Sequence, residues 1–170
     1  MDQKANPIMK SIAEYLPARY WLMKTEPDVF SFDDLLSSPK QITFWEGVRN
    51  YQARNFMLND MCLGDQVLFY HSNAKPSGIV GLAEVVSSAQ IDTSAFDLNS
   101  QYFDPKSSKE SPRWWAVAIG KPRKFETYLS LDTLRSVEEL KGMLLLRNGQ
   151  RLSIQPVAEA EYQVILRLGS

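Results

Sequence analysis

Apolar and polar positions change rhythm at about Arg19. Before it, IMKSIAEYL (8–16) places Ile8, Ile12, Tyr15 and Leu16 at helical spacing until Pro17 stops the pattern. Residues 1–18 therefore read as an N-terminal extension with one short helix, and 19–170 as a single domain. RYWLMK (19–24) is short and aromatic-rich, as a strand is, and Pro27 within TEPD breaks it. SFDDLL (31–36) opens a helix, with Ser31 as cap and Asp34 completing a capping box. FWEGVRNYQARNFML (44–58) sets two aromatics and a glycine ahead of a helix from about Asn50. GDQVLFYHSN (64–73) is a turn and a strand. SGIVGLAEVV (77–86) is a second strand whose glycines predict a bulge or a close backbone approach. Periodicity then vanishes over 87–112, which predicts a long surface loop with a turn near Phe103-Asp104-Pro105. RWWAVAIGK (113–121) is again a strand, Ser136 to Glu139 is a second capping box leading a helix to Gly142, and MLLLRNGQRLSI (143–154) reads as strand, Asn-Gly turn, strand. AEAEYQVILRLG (158–169) is a complete helix, with Tyr162, Ile165 and Leu166 on one face, Arg167 near the end and Gly169 as stop.

Strands separated by short helices, several of them consecutive, point to an α+β domain built round a small curved sheet or barrel. The 170 residues suffice to bury roughly 70% of the unfolded surface, so no staple is required. One cysteine, Cys62, excludes an internal disulfide framework, and with one histidine, His71, it cannot build a Cys/His zinc site. The acid pairs Asp33-Asp34 and Glu138-Glu139 sit in predicted first turns, so no metal site is expected. Neither GxGxxG nor GxxxxGK[ST] occurs, and no cofactor is expected. No apolar run approaches the roughly 18 residues of a membrane span, and the N-terminus lacks the pattern of a secretory signal. The expected location is cytoplasmic for a bacterial source and nuclear for a eukaryotic one. A formal net charge of −1 argues against a bulk polycation.

Two segments carry candidate chemistry. In FWEGVRNYQARN (44–55), Trp45 and Tyr51 offer flat apolar faces, while Arg49, Asn50, Gln52, Arg54 and Asn55 offer donors and acceptors. In FYHSN (69–73) an aromatic strand end runs into His71, Ser72 and Asn73. Recognition of one planar heterocycle needs this mixture, because aromatic faces stack on the ring and fixed polar groups read its edge. The competing readings are structural: a core tryptophan at Trp45, a helix cap at Asn50, a satisfied histidine at His71. RWWAVAIGKPRK (113–124) gathers Arg113, Lys121, Arg123 and Lys124 without an acid and could follow phosphates. The acidic stretch EPDVFSFDD (26–34) should then lie away from that track. Adjacent strand residues face opposite ways, so His71 and Ser72 do not form a hydrolase couple.

YWLMKTEPD (20–28), WEGVRNYQARN (45–55), GDQVLFYHSN (64–73), GIVG (78–81), RWWAV (113–117) and RLSIQPV (151–157) together resemble the EVE domain of the PUA-like superfamily, which includes the thymocyte nuclear protein type. The resemblance covers about Tyr20 to Leu168, with Thr25 where the family often has serine. It implies a PUA-like small curved β-barrel with helices packed on the rim. It also implies a non-catalytic module that binds nucleic acid, DNA or RNA, and reads a modified base, chiefly 5-modified cytosine in DNA, in an aromatic-lined pocket. Matched motifs supply the expected ligand residues: Lys24 and Glu26, then Trp45, Asn50, Tyr51, Arg54 and Asn55, then His71, Ser72 and Asn73, then Arg151 and Ser153. A flipped base would stack on Trp45 and Tyr51, Asn50 or Ser72 would read its edge, and Arg113, Lys121, Arg123 and Lys124 would hold flanking phosphates. An enzyme alternative rests on similarity to ASCH-type amidohydrolases of acylated cytidine, with Lys24, Thr25 and Glu26 as catalytic groups and Glu84 as a stand-in acid. A third reading is a protein-interaction module that uses the N-terminal helix.

Overall fold

The aromatic run after Arg19 becomes β1 (Tyr20–Thr25) in the computed structural model, which describes residues 19–170. The extension and the helix expected at 8–16 lie outside the described residues. Ser31 caps α1 (Phe32–Ser37) by accepting from the Asp34 N–H at 3.0 Å, and the Asp34 carboxylate accepts from the Ser31 N–H at 2.7 Å. Both arms of the expected capping box are present. The chain then passes through β2 (Thr43–Phe44) to α2 (Tyr51–Asn55), which continues as one π-helical turn (Phe56–Asp60). β3 (Gln66–His71) and β4 (Gly78–Val85) follow, then the short β5 (Gln90–Ile91) and β6 (Trp115–Ala116), and the long β7 (Ala118–Ser130). α3 (Leu131–Arg135), β8 (Ile154–Val157) and α4 (Glu159–Gly169) complete the fold.

Six strands form a curled half-barrel sheet in the order β2-β7-β4-β3-β1-β8, and β5 pairs separately with β6. Only β1 and β3 run parallel, in register from Tyr20–Gln66 to Thr25–His71, and the crossover between them carries α1, β2 and α2. The central strands β1, β3 and β4 are buried on both faces, which explains their unbroken apolar runs. Trp21 and Met23 join Val67, Phe69, Val80 and Ile154 in one core, whereas Leu22 joins Leu68, Tyr70, Ile79 and Leu82 in the other. α4 closes the second core through Tyr162 and Ile165, and the Tyr162 ring lies 4.3 Å from that of Tyr20.

The glycines of β4 do what their sequence suggested. A Cβ on Gly81 would stand 2.4 Å from the Arg123 carbonyl, so only glycine lets β4 and β7 pair there, and the register slips on either side. Gly169 ends its helix as expected and has a packing role as well. It is the last residue of α4 and is buried, because a Cβ would meet the Phe125 ring at 2.4 Å.

Four further expectations need correction. The strand read at 113–121 is two strands, and the second runs on through Pro122. Lys121 and Pro122 lie opposite the single residue Ala83, and Lys121 has φ +50°, a bulge that accommodates a proline within β7. Ser136 caps no helix. It ends α3, whose N-terminus is capped instead by Ser130 accepting from the Thr133 N–H at 3.2 Å. The expected hairpin at 143–154 is absent: Leu144–Leu146 makes a 3-10 turn that buries Leu145 in the second core beside Met143, and only β8 is extended. The 87–112 segment is no simple surface loop. It carries β5 and a 3-10 turn (Thr93–Phe96) and buries Asp92, Ser94 and Ser107.

Candidate functional site

Because the sheet does not close, its two edges, β2 and β8, flank an opening. A cleft of about 910 Å³ lies there. Thr43 and Phe44 of β2 form one side, and Arg151 and Ser153, just ahead of β8, belong to the other. The end of β1 contributes Lys24, Thr25 and Glu26, with Ser72 beside them, and Phe30 enters from the turn after β1. The Trp45–Arg49 segment runs across the cleft, and Gln101 and Tyr102 complete its wall.

The Gly47 to Arg49 wall is held by a buried carboxylate. Asp92, 1% exposed, accepts from the Gly47 N–H at 2.8 Å, from the Arg49 guanidinium at 2.9 Å and from the Ser94 N–H at 3.0 Å. Desolvation opposes its charge, but the hydrogen bonds from Ser94, Gly47 and Arg49 outweigh that and hold the carboxyl below the usual carboxylate range. Arg49 also donates twice to the Tyr102 carbonyl, at 3.0 and 2.7 Å, so one guanidinium ties the 45–49 segment to the loop that presents Tyr102. Gly47 has φ +86° and the Tyr102 ring packs directly on its Cα.

Sequence reasoning named eight of the lining residues: Lys24, Thr25, Glu26, Trp45, Arg49, Ser72, Arg151 and Ser153. Trp45 is both core and lining. It is 8% exposed, with edge-to-face contacts to Phe69 at 5.6 Å and Phe30 at 6.5 Å, so it is not a free stacking platform. The reasoning missed Phe30 and Tyr102, which no local motif announces, and gave no role to Phe44, which opens the FWEGVRNYQARN segment.

Six motif residues lie off the lining. Asn50 caps α2, its side-chain oxygen accepting from the Ala53 N–H at 2.9 Å. Tyr51 stacks on Trp114 with ring centroids 4.9 Å apart, and the Arg54 guanidinium lies 4.7 Å from its centroid, so the ring is engaged within the protein although the residue is half exposed. Arg54 itself donates to the Arg113 carbonyl at 2.8 Å and to the Asn55 side chain at 2.7 Å. Asn73 is exposed, at φ +49°. His71 accepts from the Phe32 N–H at 3.1 Å, satisfying an orphan donor at the start of α1.

Burial lowers the His71 pKa; the Asp33 charge opposes this and Lys124 adds to it. A folded value below the unfolded value of about 6.5 means that its stabilisation is full above that pH and is lost as pH falls through the folded value. Protonation also turns the acceptor into a donor. His71→Gln keeps an acceptor that does not titrate. Calorimetry should therefore show the parent losing more thermal stability than this variant between pH 7.5 and pH 5.5, and equal losses would refute the assignment.

Two of the four charges of the basic strip are paired with acids. Lys124 pairs with Asp33 at 2.8 Å, an acid from the very stretch expected to lie elsewhere, and Lys121 pairs with Glu84 at 2.8 Å. Lys121 and Arg123 border a separate shallow depression with Leu82 and Tyr162, on the face that α4 covers, and Arg113 lies beside Arg54. Charge counted along a strand takes no account of acids that packing brings across. Of the groups named for the catalytic alternative, Lys24, Thr25 and Glu26 do meet in the cleft. The Thr25 hydroxyl donates to the Phe30 carbonyl at 3.0 Å, and Glu84 is held by Lys121, away from the cleft. No group of three or more His, Cys, Asp and Glu fit to hold a metal occurs among the described residues, and none of their helices is long and apolar enough to cross a membrane.

Comparison with known proteins agrees with this architecture. Thymocyte nuclear protein 1 of Rattus norvegicus is 42% identical over 168 residues, covering 89% of this chain and 74% of the relative. A hypothetical protein from Leishmania major superposes with a TM-score of 0.84 at 47% identity, over 90% of this chain and 95% of that one. Human THYN1 protein, solved in complex with 5-methylcytosine-containing DNA, superposes with a TM-score of 0.85 at 40% identity, over 90% of this chain and 98% of the human one. The EVE domain matches residues 19–168. This chain belongs to the EVE domain family.

Proposed function

We propose that this protein is a non-catalytic DNA-binding module that takes a modified cytosine, chiefly one substituted at C5, into the cleft between the two edges of its sheet. The observation that carries the reading is the cleft itself. It is large enough for a nucleotide and combines the aromatic side chains Phe30, Phe44 and Tyr102 with Lys24 and Arg151, which form no ion pair among the described residues. The human relative's complex with 5-methylcytosine DNA supports the same ligand class. Aromatic contact with the base is worth roughly 1–3 kcal/mol, and Arg151, exposed at the rim, is placed for the backbone. Packing a methyl group adds only about 1 kcal/mol, so affinity comes mainly from the ring and the phosphates. A eukaryotic source would place the protein with its DNA in the nucleus, as the relatives' name suggests.

The test is a fluorescence titration with short duplexes differing at one cytosine: unmodified, 5-methyl or 5-hydroxymethyl. Trp45→Ala is a poor probe because it also removes core packing. Arg151→Ala and Tyr102→Ala are better. Arg151→Ala should weaken every duplex alike and flatten the salt dependence, whereas Tyr102→Ala should reduce the preference for the modified base. Equal binding of all duplexes by the parent, or no binding, would refute the proposal.

A further inference from the structure

A cleft that accepts 5-methylcytosine faces a problem that packing cannot solve. Thymine carries the same 5-methyl group on the same ring size, and it is abundant in all DNA. The two bases differ at position 4, where cytosine has an amino donor and thymine a carbonyl acceptor, and in the protonation of N3. Discrimination therefore requires a hydrogen-bond acceptor inside the cleft, aimed at the amino group and repelling the carbonyl.

Several acceptors in the lining are already engaged. The Thr25 hydroxyl donates to Phe30, and the Phe44 and Ser153 carbonyls accept from Glu46 and Lys24. The Val48 carbonyl accepts from Arg49, and the Glu26 carbonyl from the Val29 and Phe30 amides. The side chains of Thr43, Ser72, Gln101, Tyr102 and Ser153 can donate as well as accept and so do not exclude a carbonyl, which leaves Glu26 and Glu46 as the acceptor-only side chains of the lining. An acid beside DNA is repelled by phosphates, so its presence in such a cleft has to be offset by contact with a base. Both have a fixed backbone, but Glu46 is the one joined to the buried clamp: its own N–H donates to the Phe44 carbonyl at 2.8 Å, and the next N–H, that of Gly47, is bonded to buried Asp92. It forms no ion pair or side-chain hydrogen bond among the described residues. The residue is exposed at the cleft, where partial desolvation, reinforced by the Asp92 charge and opposed by Arg49, pushes its carboxyl above the ordinary range.

We infer that Glu46 is the residue that tells modified cytosine from thymine, by accepting a hydrogen bond from the exocyclic 4-amino group. The inference rests on the proposed DNA-binding function. Affinities would be measured for the parent, Glu46→Ala, Glu46→Gln and Glu26→Ala. The ligands would be oligonucleotides identical except for 5-methylcytosine, cytosine, thymine or uracil at one position. The parent should prefer 5-methylcytosine to thymine by about tenfold to a hundredfold. Glu46→Ala should bring that ratio close to one, mainly by weakening the 5-methylcytosine complex. Glu46→Gln, which can both donate and accept, should lower the ratio by admitting thymine. The preference for 5-methylcytosine over cytosine, a matter of the 5-substituent, should survive in both variants. An unchanged ratio in folded Glu46→Ala, or its collapse in Glu26→Ala instead, would overturn the assignment to Glu46 while leaving the proposed function standing. Parent protein that binds none of these ligands, or binds them all equally, would overturn both.

Discussion

Asp92→Ala should lower the thermal midpoint by on the order of 10 °C. The substitution strands a part-buried guanidinium, and breaking a buried pair from one side costs up to about 3–5 kcal/mol, with roughly 2–4 °C per kcal/mol in a domain of this size. It also leaves the Gly47 and Ser94 amides without the acceptor that now serves both. Calorimetry of the parent, Asp92→Ala and Asp92→Asn would check it. Asparagine keeps one oxygen and should lose less. Because the folded carboxyl titrates below its usual range, the contribution of Asp92 is full above the unfolded value near 3.9 and declines as pH falls through the folded value. A loss under about 1 kcal/mol in Asp92→Ala would mean that the clamp contributes little.

Gly47→Val should damage the site even more than the fold. At φ +86° a β-branched residue is strained, and its Cβ would stand 2.6 Å from the Tyr102 ring. Strain of this kind costs on the order of 1–3 kcal/mol, and the ring must leave the wall of the cleft to relieve the contact. Affinity for the modified duplex should fall at least tenfold. Gly47→Ala combined with Tyr102→Ala tests the cause. If the ring is the obstacle, the pair should be less destabilised than the sum of the single changes, and strict additivity would refute the account.

What could be read from the sequence was local. The capping box at Ser31, the aromatic strand from Tyr20, the glycine-bearing β4 and the amphipathic α4 each rest on neighbours within a few residues, and each is present. The misreadings share one cause. Met143 and Leu145 alternate as a strand would, yet a 3-10 turn meets the same core because a neighbouring surface, not a partner strand, receives them. Ser136 followed by two glutamates has the right spacing for a cap, but α3 had already begun at Ser130. The site divides in the same way. Residues at 24–26, 45, 72, 151 and 153 were found through family motifs, whereas Asn50, Tyr51, Arg54, Asn55 and His71, from those same motifs, hold the framework. A motif marks residues a fold needs together and does not separate those that touch a ligand from those that brace the ones that do. Phe30, Phe44 and Tyr102 come from segments far apart in the chain, and nothing short of the sheet topology brings them together.

The cleft shares its floor with the core through Trp45 and its wall with the clamp through Gly47, but Arg151 stands at the rim and carries no fold contact of comparable weight. Lineages can therefore change what the rim prefers by single exposed substitutions without first acquiring a compensating stabiliser, while the floor is open to change only in company with its neighbours. Divergence of ligand preference among proteins of this architecture should accumulate at positions such as 151 and 101 before it reaches 45 or 47.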